Sequence, residues 1–371
     1  MKIKGIAQVF VVSALALLFA SEGLAAQTDT LLNYPRLYRG ARTAAMGGAY
    51  TAVGGDVEAL FYNPATLYKM DFQLNLINPL VDVNENALDI YQDAADAMDV
   101  DNETDRLNKI TEIIQKNMGK PLHVRAALFP GFAVKNYAFG VLGQVEFDTR
   151  LHNPLGSAGA VEMDGGYEYG PVAGFSLPTG IGGLRAGLGA KLISRSWVKR
   201  NFTVREIASE NFDMNDYTTE NSDFSLDAGL LYELPVMESL KPKIGVSVLD
   251  ITDLDFKEGG KIPMRANIGL SVNPKVPFLG DVILAADYED VTNEFAEDKS
   301  TWKRVHLGAE LGLLKRHLLL RGGVNQGYGT FGAELDIWVI KLAYTYYAEE
   351  IGAYAGQEMD KRQMASLTIG W

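Results

Sequence analysis

The chain contains no cysteine among its 371 residues. That excludes a disulfide framework, thiolate metal sites and a cysteine-linked lipid anchor, and it suits passage through an oxidising compartment. Long apolar runs are scarce as well. After Ile6–Ala20 none reaches spanning length, and a mean hydropathy of −0.02 is far too polar for a helical membrane protein. Positive charge is in deficit: the formal net charge is −13 and the pI about 4.9, which makes nucleic acid and anionic membrane surfaces poor partners. Only four histidines occur, His123, His152, His306 and His317, and no two have metal-ligand spacing. Nucleophile elbow, Walker loop and dinucleotide fingerprint are all missing. These absences predict a protein that is not an enzyme and carries neither a cofactor nor a metal.

What the sequence does contain begins with a leader. Lys2 and Lys4, the apolar Ile6–Ala20 and the small residues Gly23-Leu24-Ala25-Ala26 predict a cleavable secretory signal peptide over 1–26. Beyond residue 71 the repeating unit is an alternating stretch of about ten residues closed by turn residues. Val305, Leu307, Ala309, Leu311 and Leu313 share one face, opposite Arg304, His306 and Glu310. Leu184, Ala186, Leu188, Ala190 and Leu192 stand opposite Arg185, Lys191 and Arg195. Strands are predicted near 72–79, 122–133, 136–151, 161–177, 183–203, 222–234, 242–250, 263–273, 281–291, 301–314, 317–325, 328–336, 337–348 and 362–371. A soluble sandwich and a membrane barrel share this alternation. An even strand count, connections alternating between long and short, and aromatics such as Tyr137, Tyr169, Trp197, Trp302, Trp338 and Tyr346 near strand ends favour the barrel. The predicted fold is all-β: a transmembrane antiparallel β-barrel of about 14 strands over 72–371, preceded by a plug at 27–71.

The plug segment carries paired glycines around Met46-Gly47-Gly48-Ala49-Tyr50 and an Asn63-Pro64-Ala65 turn, with Asn63 placed to cap and Pro64 to redirect the chain. It resembles the N-terminal hatch of the FadL-like outer-membrane β-barrel family, most closely its PorV/PorQ-type branch. His306–Glu310, Arg321-Gly322-Gly323, Asn325–Tyr328 and Tyr354–Gln357 resemble the same group. The resemblance covers both ends of the chain, the middle matching only in general barrel character. It implies the outer membrane of a Gram-negative bacterium, fourteen strands and a hatch that includes Gly47, Gly48, Asn63, Pro64 and Ala65. Outer-membrane lipids and the barrel-insertion machinery are the implied partners, and Trp371, ending an alternating strand, resembles the insertion signal.

Between the first two predicted strands, 80–121 reads as a helical hairpin on the outer side, with Leu88, Tyr91, Ala95 and Met98, then Leu107, Ile110, Ile113 and Ile114, at helical spacing. Asp99–Thr104 lacks the glycine and terminal glutamate of a calcium loop. Within the lumen, Arg185, Arg265, Arg304, His306, Glu310 and Arg321 are the candidates for holding the plug or for binding an amphipathic ligand. Three functions remain open: passive uptake of a hydrophobic or amphipathic, fatty-acid-like small molecule; handling or anchoring of exported proteins in a secretion system; and a structural role. Deleting Trp371 is expected to lower the amount of heat-modifiable barrel in the membrane fraction; unchanged assembly would remove its role as a signal.

Overall fold

The computed structural model describes residues 33–68, 70–154, 159–276, 280–295 and 297–371. The predicted leader and the first residues of the plug, 27–32, lie outside the described residues. Every barrel strand pairs antiparallel with its neighbours, and the last pairs with the first, so the sheet closes on itself.

The sheet has 17 strand segments, of which three pairs run end to end and leave fourteen staves. β1 comprises Met70–Ile77 and Leu80–Asn84, and β2 comprises Pro121–Leu128 and Gly131–Lys135. Each is interrupted at a proline, Pro79 or Pro130, which has no N–H to give to a ladder. There follow β3 (Tyr137–Leu151), β4 (Val161–Pro178), β5 (Leu184–Phe202), β6 (Thr219–Glu233) and β7 (Lys243–Leu249). β8 joins Arg265–Val272 to Lys275–Val276. The circuit ends with β9 (Gly280–Tyr288), β10 (Val305–Leu313), β11 (Leu318–Asn325), β12 (Tyr328–Ile337), β13 (Ile340–Glu350) and β14 (Met359–Gly370). Trp371 and Leu74 exchange both backbone hydrogen bonds, at 2.8 and 2.7 Å, and seal the seam.

Several predicted boundaries move. The first strand does not stop at 79 but resumes at Leu80, so the outer insertion spans 85–120 rather than 80–121. Thr301–Arg304 is a 3-10 turn, and the strand predicted from 301 starts at Val305. The last two staves meet further out than alternation indicated, through Glu350 and Met359.

The two faces of the wall are inverted relative to a soluble protein. Outward side chains on β5 include Leu188 and Leu192, 52% and 51% exposed, whereas Lys191 and Arg195 on the inward face are 1% and 7% exposed. On β3 Phe139, Val141 and Val145 face out, and Gln144, Asp148 and Arg150 face in. A sandwich would bury the first set; a barrel in lipid exposes it to hydrocarbon. Tyr137 meets Phe175 near one rim of this apolar band, and Tyr167 stacks on Tyr169 near the other, where amphipathic rings are favoured. Trp197 departs from the expected girdle. It points into the lumen, 8% exposed, and donates its indole N–H to Asp164 at 2.7 Å.

At one end of the barrel the staves join through short turns such as Asn136 and 338–339; at the other lie the long connections. The longest holds helices α1 (Glu85–Met98) and α2 (Glu103–Lys116). Their buried residues Ile90, Ala97, Ile110 and Ile114 pack with Leu151 and Val161 at the outer ends of β3 and β4 and with Val204 and Ala208 in the helical turn that follows β5. The face that α1 buries is Ala87, Ile90 and Ala97, and the Leu88–Tyr91–Ala95–Met98 stripe is exposed. Turning Ile90 onto the strand ends leaves that stripe on the opposite side of the helix.

An arginine at the centre of the lipid-facing band tests the assignment of faces. Leu188→Arg is expected to lower folding stability by about 2–4 kcal/mol in equilibrium unfolding from bilayers; an unchanged free energy would place that face away from hydrocarbon.

Candidate functional site

Residues 33–68 fill the lumen as a hatch built of one helical turn, Ala41–Ala45, and two 3-10 turns, Val57–Phe61 and Pro64–Leu67. Asn63 caps the last of these by accepting the Ala65 N–H at 3.0 Å. Its amide donates to the Thr51 carbonyl at 2.8 Å and to the wall carbonyl of Leu230 at 3.2 Å. One side chain therefore folds the hatch and ties it to the barrel.

The wall receives the hatch backbone at closely fitted positions. A Cβ on Gly187 would stand 2.2 Å from Ala65 N, and one on Gly229 2.0 Å from the Asn63 side-chain oxygen. Gly47 adopts φ +64°, and a Cβ there would lie 2.5 Å from the carbonyls of Leu307 and Val324. Inward hydroxyls meet the hatch carbonyls: Ser176 donates to Ala65, Ser271 to Ala52, Thr330 to Ala45 and Thr345 to Ala41, at 2.8–2.9 Å. Asp287 accepts the N–H groups of Tyr50 and Thr51 at 2.7 Å each. Ser176, Ser271, Asp287, Thr330 and Thr345 are all buried, and without these partners each would be left unpaired.

Charged pairs finish the seal. Glu310, 1% exposed, accepts from Arg42 of the hatch at 2.8 and 3.1 Å and from the wall residues Arg321 and Arg316 at 2.8 Å. Arg42 also reaches Asp56 at 2.9 Å and Tyr50 at 2.8 Å. A second node forms at Glu289, which faces Arg36 of the hatch at 2.5 Å, Arg265 at 3.1 Å and His306 at 3.2 Å. His306 donates from Nδ1 to the Gly47 carbonyl at 2.8 Å.

The structure thus brings four of the sequence-derived lumen candidates into contact with the hatch network: Arg265 and His306 at Glu289, and Glu310 with Arg321 around Arg42. Two lie elsewhere. Arg185 packs its guanidinium 3.9 Å from the centre of the Tyr68 ring, near the short-turn end. Arg304 holds the outer 289–304 connection through the carbonyls of Asp290 and Asp298, at 3.5 and 3.3 Å.

On the outer side of the hatch lies a cavity of about 260 Å³. None of the six candidates lines it. Its wall carries a row of charges whose order follows the strand register: Asp82 opposite Arg125, Arg125 opposite Glu146, and Glu168 opposite Arg195. Arg125 reaches Asp82 at 3.1 Å and the Arg39 carbonyl at 2.9 Å. Arg195 pairs with Glu168 at 2.8 Å and lies 4.4 Å from the ring centres of both Trp197 and Phe256. Tyr347 donates to Asp82 at 2.6 Å. Aromatic surface from Tyr34, Tyr38, Trp197, Phe295 and Tyr347 completes the lining. These vestibule residues sit at period-two positions like any other inward residue. Only the assembled register distinguishes them, so sequence spacing along one strand had no signal for them.

Above the vestibule the 203–218 connection is ordered by a capping box. The Thr203 N–H and hydroxyl donate to Glu206, holding its carboxyl below the usual range.

No family model matches the chain, and no curated protein matches it. Among solved structures, a Pseudomonas aeruginosa FadL homologue is 10% identical, covering 92% of this chain and 99% of its own, with a TM-score of 0.49. The Pseudomonas putida toluene transporter TodX is 12% identical over 92% and 99%, at a TM-score of 0.47. The Ralstonia pickettii toluene transporter TbuX is 12% identical over 90% and 97%, at 0.47. Identities and overlaps of this size leave the fold resting on the strand pairing itself.

Removing the shared acid tests the hatch anchorage. Glu310→Gln leaves Arg42 and Arg321 short of a buried counter-charge and is expected to destabilise the protein by about 3–5 kcal/mol. Thermal unfolding in detergent, with proteolysis at 33–68 as the local readout, measures it; wild-type stability would show that the hatch is held by other contacts.

Proposed function

We propose that the chain is an outer-membrane uptake barrel, FadL-like in design, that admits a small amphipathic molecule carrying a carboxylate, fatty-acid-like in its chemistry. One observation carries this reading: the cavity outside the hatch sets aromatic surface beside guanidinium groups. A guanidinium has five donors in a planar fork, and Nη2 of Arg125 donates to Asp82 and to one backbone carbonyl. A ligand carboxylate would share that fork while its apolar tail lies along Trp197, Phe295 and Tyr347. The mixed lining argues against a purely hydrocarbon cargo, because charged walls stay hydrated and an alkane offers them nothing in return. Passage would then require the hatch to yield, since its glycine-fitted backbone fills the lumen below the cavity. Export through a cleavable leader at 1–26 and delivery to the insertion machinery through Trp371 belong to the same proposal.

A second reading, the PorV/PorQ-type handling of exported proteins, draws on a different observation. Leu88, Tyr91 and Met98 present an exposed apolar stripe on the outer hairpin, with Tyr91 73% exposed. Such a surface suits contact with a protein.

Titration of the detergent-solubilised barrel with decanoate, followed by tryptophan fluorescence, separates the two. Trp197 lines the cavity and should respond, and Arg125→Gln is expected to weaken binding ~10–100-fold, the scale of a charge-assisted hydrogen bond. Equal affinity in the variant would move the ligand out of the vestibule. A silent titration combined with a stoichiometric protein partner lost on Tyr91→Asp would favour the second reading.

A further inference from the structure

The vestibule wall holds one group whose chemistry the uptake reading leaves unused. His123 on β2 stands directly opposite Asp148 on β3, and Glu146, two residues earlier, shares the same inward face. Their nearest ligating atoms all lie within 4.8 Å of one another, with His123 Nδ1 2.7 Å from Asp148 Oδ1. Sequence spacing does not show this set, because the ligands come from adjacent strands and meet only through register.

We propose that His123, Glu146 and Asp148 form a site for one divalent transition-metal ion of the Zn²⁺ type, open on the vestibule side. Three features support it besides proximity. Glu146 lines the cavity and has no hydrogen bond or ion pair among the described residues, so its carboxylate is free to ligate. Opposite Nδ1, the Nε2 atom of His123 faces Asp82 Oδ2 at 3.5 Å, the arrangement in which a carboxylate orients a ligating imidazole. Arg362 also approaches Nε2, at 3.4 Å, but its stronger contact is with Asp360 at 2.7 Å.

The third feature is charge. Asp82, Glu146, Asp148 and Asp360 face Arg125 and Arg362 in this corner, while Glu168 is taken by Arg195. Four carboxylates against two guanidiniums leave carboxylate groups in excess around the imidazole, an environment that suits a cation. One nitrogen and two oxygen ligands with a fourth position open to the cavity match the donor sets that Zn²⁺ accepts. Calcium requires six to eight oxygens and fits poorly. The site does not depend on which ligand the barrel carries.

Calorimetric titration of the full-length, detergent-solubilised barrel with Zn²⁺ alone tests it. The expected result is saturable binding of one ion per chain. Glu146→Gln keeps the shape and breaks no protein contact; it is expected to weaken binding at least tenfold, and His123→Gln to abolish it. His152→Gln, which alters the separate His152–Glu162 pair in the outer 152–160 connection, should leave binding unchanged. Heat-modifiable migration confirms that each variant is folded. Absence of saturable binding, wild-type affinity in Glu146→Gln, or loss of binding in His152→Gln would each overturn the assignment.

Discussion

A closed wall of fourteen strands encloses more space than its own side chains fill, and the interior must be occupied if the barrel is not to leak. Residues 33–68 meet that requirement, and much of the wall chemistry is explained by having to receive them. Gly187 and Gly229 are small where Asn63 and Ala65 pass. Hydroxyls from four separate staves turn inward where hatch carbonyls would be orphaned. Asp287 meets two consecutive amides of the hatch chain, and Glu310 gathers arginines from both sides of the boundary. These groups are costly to bury alone and inexpensive to bury in pairs, which ties the position of the hatch to the wall.

The same logic explains a lumen so rich in charge. In lipid the middle of the outer face has no use for ionisable residues, and mid-strand charges such as Lys191, Arg195 and Glu310 point inward, where each finds a partner. Pairing runs mostly across staves, as Asp82 with Arg125 on β1 and β2 and Glu168 with Arg195 on β4 and β5 illustrate. The result is a vestibule with balanced signs and aromatic facets, fitted for molecules that carry both a polar head and an apolar body. Where the balance fails locally, at His123, Glu146 and Asp148, the excess of carboxylate is what points to a cation.

Much of the architecture was legible in the sequence because two-residue periodicity survives in any strand whose faces meet different media. Leu184–Leu192 opposite Arg185 and Lys191 stated both the strand and its two faces, and the choice between lipid and core came from the even strand count, the alternating connections and the aromatics near strand ends. Proline concealed the continuity of β1, because Pro79 reads as an end although the stave resumes one residue later. Helical spacing located α1 without saying which face is buried, and the face that fits the strand ends is that of Ile90 and Ala97. Arg321 and its partner Glu310 were both among the lumen candidates, but which arginine meets which acid was not legible. Arg321 and Glu310 are directly opposed across two staves, whereas Arg304 lies beyond the start of its strand. Such distinctions depend on register and on where the hatch rests, neither of which a single strand records.

The central claim is that residues 33–68 close the lumen, and ion conductance across planar bilayers tests it most directly. The full chain should be silent, and a chain lacking 33–68, shown to be folded by heat-modifiable migration, should open steady pores. Steady conductance from the full chain, or silence from the folded hatchless barrel, would contradict the account.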